Sequence, residues 1–177
     1  KNPKGKLRKA DFEKMVDISL NGKNISNLNY LTKLTSVKNV SLMDNQIKDL
    51  GSLSSLTNLE SLHLQGNRII ATKPLSGLSQ LNRLNLSRNQ VKNIEPLGKL
   101  IGLEWLNLIS NNITDLSGLS KMTELRWLGL NYNDVSDLTP LKGLKKLKVL
   151  MVKGNPNLDD SEIDELEEVL PNCTIEY

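Results

Sequence analysis

The chain carries a single histidine, His63, and a single cysteine, Cys173, among its 177 residues. That inventory bounds the chemistry it can perform. One cysteine makes no intrachain disulfide and no cysteine-rich zinc site, and one histidine makes no histidine cluster for a catalytic metal. His63 and Cys173 lie several repeats apart, which argues against a nucleophile–base pair. His63 can share a surface with Ser41, Asp44 and Asn85. A catalytic triad, however, needs a nucleophile activated by a base that is itself held in place, and no spacing here marks one. Gly98 and Gly102 do not form a phosphate-cradling loop. The acids gather in Asp159–Glu168, where they suit a helical cap better than an acid–base pair. The inventory describes a non-enzyme, with no metal and no cofactor.

The elements that must position these side chains are set by a stricter pattern. Asn45, Asn67, Asn89, Asn111, Asn133 and Asn155 each stand 22 residues after the last. Around them one phrase recurs: V-S-L-M-D-N-Q-I at Val40–Ile47, L-N-L-S-R-N-Q-V at Leu84–Val91 and L-G-L-N-Y-N-D-V at Leu128–Val135. A fixed period of this length marks a repeat architecture. In each L-x-L the two apolar residues point inward and their neighbours outward, as strand alternation demands. Seven short strands follow, at Ile18–Leu20, Val40–Leu42, Leu62–Leu64, Leu84–Leu86, Leu106–Leu108, Leu128–Leu130 and Leu150–Val152. Each asparagine amide has donors and an acceptor for backbone groups that a dry turn would otherwise orphan. Lys23 stands where the first coil would carry that asparagine.

The return half of each coil repeats its apolar residues every three positions, as at Ile47, Leu50, Leu53, Leu56 and Leu59. That spacing suits 3-10 or extended returns. Pro74, Pro96 and Pro140 share one position there. Thr72 replaces the Leu or Ile of the other coils, so looser packing or a bulge is expected near Ile70–Lys73. An amphipathic helix is expected over Asp159–Leu170, with Ile163, Leu166, Val169 and Leu170 on one face and Pro171 ending it. The tail after it can add one more extended segment. A solenoid must cover its open ends. The chain therefore divides into a leader and cap (1–17, with a short helix at Ala10–Val16 presenting Phe12), repeats (18–155) and a helical cap (156–177).

Composition narrows the partners. The net charge of +3 is small, so nothing argues for nucleic acid. No apolar run is long enough to span a membrane. The basic start KNPKGKLRK reads as a solvated leader, and a chain opening on Lys1 reads as a processed or trimmed product. The chain is expected to be monomeric.

The pattern L-x-x-L-x-x-L-x-L-x-x-N-x-I-x-x-L, present at Leu78–Leu81–Leu84–Leu86–Asn89–Val91–Ile94, resembles the leucine-rich repeat of 22 residues. That class is shared by bacterial internalin-like surface proteins and eukaryotic phosphatase-regulator proteins. The ending N-P-N-L-D-D-S-E…L-P-N-C-T-I-E-Y is more similar to the bacterial members. The resemblance implies an α/β repeat fold: a right-handed solenoid with a curved parallel sheet on its concave face, 3-10 or extended returns on its convex face, and caps at both ends. It implies a secreted or cell-surface bacterial protein, with a cytoplasmic scaffold as the alternative.

With the asparagines as a ruler, the outward positions can be read across coils. Trp105 and Trp127 are the only tryptophans, and they fill one position in adjacent coils. Strands in a sheet lie about 4.8 Å apart, so the two rings should be neighbours. Gly129 beside Trp127 is expected to leave a gap with room for a ring or a ligand. An apolar cluster on an exposed sheet, rimmed by polar groups, marks an interaction site. The expected anchor is Trp105, Trp127, Tyr132, Ile109 and Met151, with Arg83, Arg88, His63, Asn85 and Asn107 as polar contacts. Its partner is a protein, or alternatively a glycan stacked on the tryptophans. Seven strands offer about 450 Å² of face, against about 800 Å² per side in a standard interface. A partner would also grip a flanking edge or bind weakly.

Overall fold

The computed structural model describes residues 14–177. Its strands are β1 (Asp17–Ser19), β2 (Asn39–Ser41), β3 (Ser61–His63), β4 (Arg83–Asn85), β5 (Trp105–Asn107), β6 (Trp127–Gly129), β7 (Val149–Met151) and β8 (Thr174–Glu176). They form one parallel sheet in chain order, each residue paired with the one 22 positions on as far as β7. Each strand begins one residue earlier than the L-x-L pattern suggests. The residue before the first apolar position already pairs, and the second apolar residue continues the ladder through its amide, as Leu42 N–H does to His63 O at 2.8 Å. The returns are six short 3-10 turns, with Pro74, Pro96 and Pro140 in their opening residues. Proline fits there because it needs no donor and its φ is preset. The result is a leucine-rich-repeat solenoid, with the sheet on the concave face and the 3-10 returns on the convex one.

The core is a single continuous row of Leu, Ile and Val, with Met122, from Leu28 to Leu170, nearly all without solvent contact. Each coil alone leaves its apolar side open, and stacking closes it. The asparagine row fastens the stack. Asn111 donates to Leu108 O in its own coil at 2.9 Å and to Leu86 O in the previous coil at 3.0 Å, while its Oδ1 accepts Val91 N–H at 3.0 Å. Asn67, Asn89, Asn133 and Asn155 repeat these contacts. Asn45 does the same for the first coil, where its Oδ1 accepts the amides of Lys23 and Ile25. The side chain of Lys23 is not needed for that bond, because the preceding coil contributes only backbone.

A second row lies on the opposite flank. The side chains of Asn27, Asp49, Asn93, Asp115 and Asp137 each accept the amide two residues on, at 2.7–2.8 Å, and fix the entry to the 3-10 turn. Such short local bonds are the usual reason Asn and Asp favour turns. Ala71 breaks this row. Next to it Thr72 is fully buried, and its hydroxyl donates to Asn93 O at 3.1 Å. Thr72 itself is thus closely packed, and an external groove runs beside this segment.

Helix α1 (Asp160–Val169) covers the last coil with Ile163 and Leu166 buried. Its acids have specific partners: Glu162 accepts Leu138 N–H at 2.8 Å, and Glu165 pairs with Lys142 at 2.7 Å. Asp159 sits at the N-cap position but makes no side-chain capping bond. The chain then turns back, and β8 pairs parallel with β7. Phe12 and most of the expected N-terminal cap lie outside the described residues. Lys14–Val16, the end of the helix expected at Ala10–Val16, are not helical.

Candidate functional site

The concave face divides in two. Its later half carries the tryptophans. Arg83, Trp105 and Trp127 stand in register on β4, β5 and β6. The indoles stack, with ring centroids 4.6 Å apart and planes 13° from parallel. The Arg83 guanidinium lies 4.7 Å from the centre of the Trp105 ring. Cation, indole and indole thus form one column across three strands. Stacked rings and a cation over an indole face are each favourable beyond their buried area. Both tryptophans are half-buried, as are Ile109, Val149 and Met151 beside them.

The gap expected at Gly129 is filled. A Cβ on Gly129 would lie 2.6 Å from Trp127 Cη2 and 3.0 Å from Ile109 Cγ1. Trp127 leans over the glycine and uses the space itself, so no pocket remains there for a ligand.

The row Gly22, Asp44, Gly66, Arg88, Ser110, Tyr132 and Gly154 behaves differently from an outward strand position. All seven have positive φ, between 52° and 72°. Each coil makes a left-handed turn there, just before its ladder asparagine, or Lys23 in the first coil. The turn aims these side chains along the rim of the face. The signal was in the sequence, in three glycines in register, since only glycine adopts this backbone without strain. Gly66 makes room for an ion pair that bridges two coils: Arg88 meets Asp44 at 2.7 Å, and a Cβ on Gly66 would touch both. Tyr132 in the same way lies across Gly154, with much of its ring exposed.

The earlier half of the face is polar. His63 and Ser61 are joined by a 3.2 Å hydrogen bond, and with Asp17, Asn39 and Ser41 they line a shallow trough of about 410 Å³. Partial burial, and secondarily the charge of Arg83, lower the His63 pKa from its ordinary value, so the ring is neutral at pH 7.

Asn85 and Asn107 are less available than the other polar residues. Asn85 is buried, and its Oδ1 accepts Ser87 N–H at 3.0 Å; that of Asn107 accepts Ile109 N–H at 3.0 Å. Both shape the strand's exit. Among the described residues, no group of three or more His, Cys, Asp and Glu side chains could hold a metal, and no helix is long and apolar enough to cross a membrane.

The repeats match the family model "Leucine Rich repeats (2 copies)" at residues 35–80 and 57–99. Residues 35–99 carry leucine-rich repeats of this family. Among solved structures the chain is similar to internalin F of Listeria monocytogenes (27% identity, TM-score 0.72), a match that covers 95% of this chain and 56% of that one. It is likewise similar to internalin C2 of that organism, at 27% identity and TM-score 0.75, over 96% of this chain and 84% of that one. A leucine-rich-repeat protein of Leptospira interrogans shares the fold at 20% identity and TM-score 0.70, over 97% of this chain and 51% of that one. The chain therefore spans little more than half the length of internalin F. No curated protein matches its sequence. The repeats resemble those of internalins, and leucine-rich-repeat solenoids commonly serve protein–protein interaction through their extended concave surface.

Proposed function

We propose that this leucine-rich-repeat protein is a non-enzymatic recognition module that binds a protein partner on its concave face. The observation that carries this is the Arg83–Trp105–Trp127 column. It places the chain's only two tryptophans half-exposed on a sheet, where core packing does not require them. Trp, Tyr and Arg are the residue types that dominate binding energy at protein interfaces. Ile109, Met151 and Tyr132 extend the anchor, and Arg83, Arg88 and His63 supply its polar contacts. Asn85 and Asn107 contribute shape through the turns they hold.

The column also weighs against the glycan alternative. Two of the four indole faces meet each other and a third lies under Arg83. A sugar ring stacking on an indole needs a free face. Similarity to Listeria internalins favours a bacterial setting over a cytosolic phosphatase-regulator scaffold, with the protein secreted or on the cell surface as a monomer.

The test is a binding screen of the purified chain against a panel of purified extracellular proteins, followed by Trp105→Ala plus Trp127→Ala. Hot-spot truncations cost about 2 kcal/mol each, so the double variant should weaken a hit by about a hundredfold or more. An unchanged affinity would sink the anchor assignment. Saturable tryptophan quenching by a glycan panel, with no protein hit, would establish the alternative.

A further inference from the structure

The third coil departs from the repeat at three successive residues, and the departures coincide in space. The other coils place Ser26, Lys48, Lys92, Thr114 or Ser136 on the outer surface; here Ile70 stands, 57% exposed. The other five carry the Asn or Asp that braces the 3-10 turn; here Ala71 stands. The core row carries Leu or Ile; here Thr72 is tied to Asn93 O. A groove of about 560 Å³ opens at this point between the third and fourth coils, on the surface away from the concave sheet.

Ile70, Ala71 and Pro96 give the groove an apolar wall. Lys73, Lys92 and Lys99 line it as well, and Glu95 is the only acid among the lining residues. None of these three lysines forms an ion pair among the described residues. Lys38, Lys142 and Lys146 elsewhere on the surface are each paired with a glutamate.

We propose that this groove is a second docking surface, and that its occupant is an extended acidic segment of a partner protein. An apolar side chain of that segment packs against Ile70, and its carboxylates meet Lys73, Lys92 and Lys99. Charge complementarity chooses the sign: three unpaired cations against one acid favour an anionic guest. The apolar wall chooses the class. A sulfated sugar would use the lysines but bury nothing on Ile70, and single-stranded nucleic acid would want an aromatic platform, which the groove lacks.

The probes are fluorescein-labelled peptides in which Asp or Glu alternates with Leu. Binding is read by anisotropy, and its location by amide shifts in ¹⁵N spectra. The expected shifts cluster at residues 70–76 and 92–99 and spare β5 and β6, which separates this surface from the concave one. Exchanging the acids for Asn and Gln should weaken binding at least tenfold. Ala71→Asp introduces the residue that other coils carry at this position, so the fold should hold while a carboxylate occupies and repels within the groove. It should also cost at least tenfold, as should Lys92→Glu at an exposed site. Unchanged affinity in both variants, shifts confined to the concave face, or tighter binding of a sulfated oligosaccharide in the groove would each overturn the proposal.

Discussion

The indole of Trp127 lies across the α-carbon of Gly129, so closely that a Cβ there would sit 2.6 Å from its Cη2 and 2.9 Å from its Cζ3. The absence of one methyl group thus decides how the tryptophan column is laid. Gly129 has no positive φ to protect, so its role is this close approach alone. Gly129→Ala should push Trp127 out of its stack on Trp105. The expected outcome is loss of the paired-indole signal in near-ultraviolet circular dichroism, at a stability cost of about 1–3 kcal/mol for overpacking. An unchanged near-ultraviolet spectrum would show that the ring has another way to lie.

Asn111 serves three backbone groups at once, accepting Val91 N–H and donating to the carbonyls of Leu86 and Leu108. Asn111→Asp keeps the shape and the acceptor but turns an oxygen toward two carbonyls. A buried, unsatisfied acceptor costs about 1–3 kcal/mol, and more when charged. The variant should lose about 3 kcal/mol or more by chemical denaturation, and raising the acidity until the carboxyl protonates should recover part of it. Equal losses at acidic and neutral pH would mean that shape, and not the donors, carries the bond.

The register of the fold was legible because one 22-residue ruler runs through the chain, and a side chain that serves its neighbour's backbone must recur at that interval. The same ruler put Trp105 beside Trp127. It could not say how the rings lie, since periodicity fixes backbone register and leaves χ angles to local space. Of the two occupants that the gap beside Gly129 suggests, a ring or a ligand, it is the ring of Trp127 that lies there. The side chains of Asp44, Arg88, Ser110 and Tyr132 hide, in the sequence, the left-handed turn that Gly22, Gly66 and Gly154 signal. The bracing row of Asn27, Asp49, Asn93, Asp115 and Asp137 was present as polar residues in a polar stretch. Only its bonds to the amides two residues on distinguish it from ordinary surface.

Cys173 is half-buried where the chain turns into β8, and burial pushes its thiol up to about 11 despite the nearby charge of Lys148. At pH 8 only about one molecule in a thousand then carries the reactive thiolate, against about a quarter for a free cysteine. An aromatic disulfide reagent should modify the folded protein about a hundredfold more slowly than the urea-unfolded chain. Equal rates would mean that the turn before β8 opens faster than the reagent reacts.

His63 gives the concave face a pH dependence of definite sign. Burial first, and the Arg83 charge second, hold its pKa below the ordinary value of 6.5. In the window between that lowered value and 6.5, the unfolded chain binds more protons than the folded one, so stability rises with pH across it. The stabilising contribution is complete above pH 6.5 and is lost as the pH falls toward the folded pKa. The His63 ring resonances should titrate with a midpoint below 6.5. His63→Gln should flatten this part of the stability profile while leaving the slope from the carboxylates at lower pH. Protonation also adds positive charge beside Arg83, so a partner that presents a cation to this end of the face should release as the solution is acidified. A midpoint at or above 6.5 would show that water reaches the ring freely and would remove the basis for the effect.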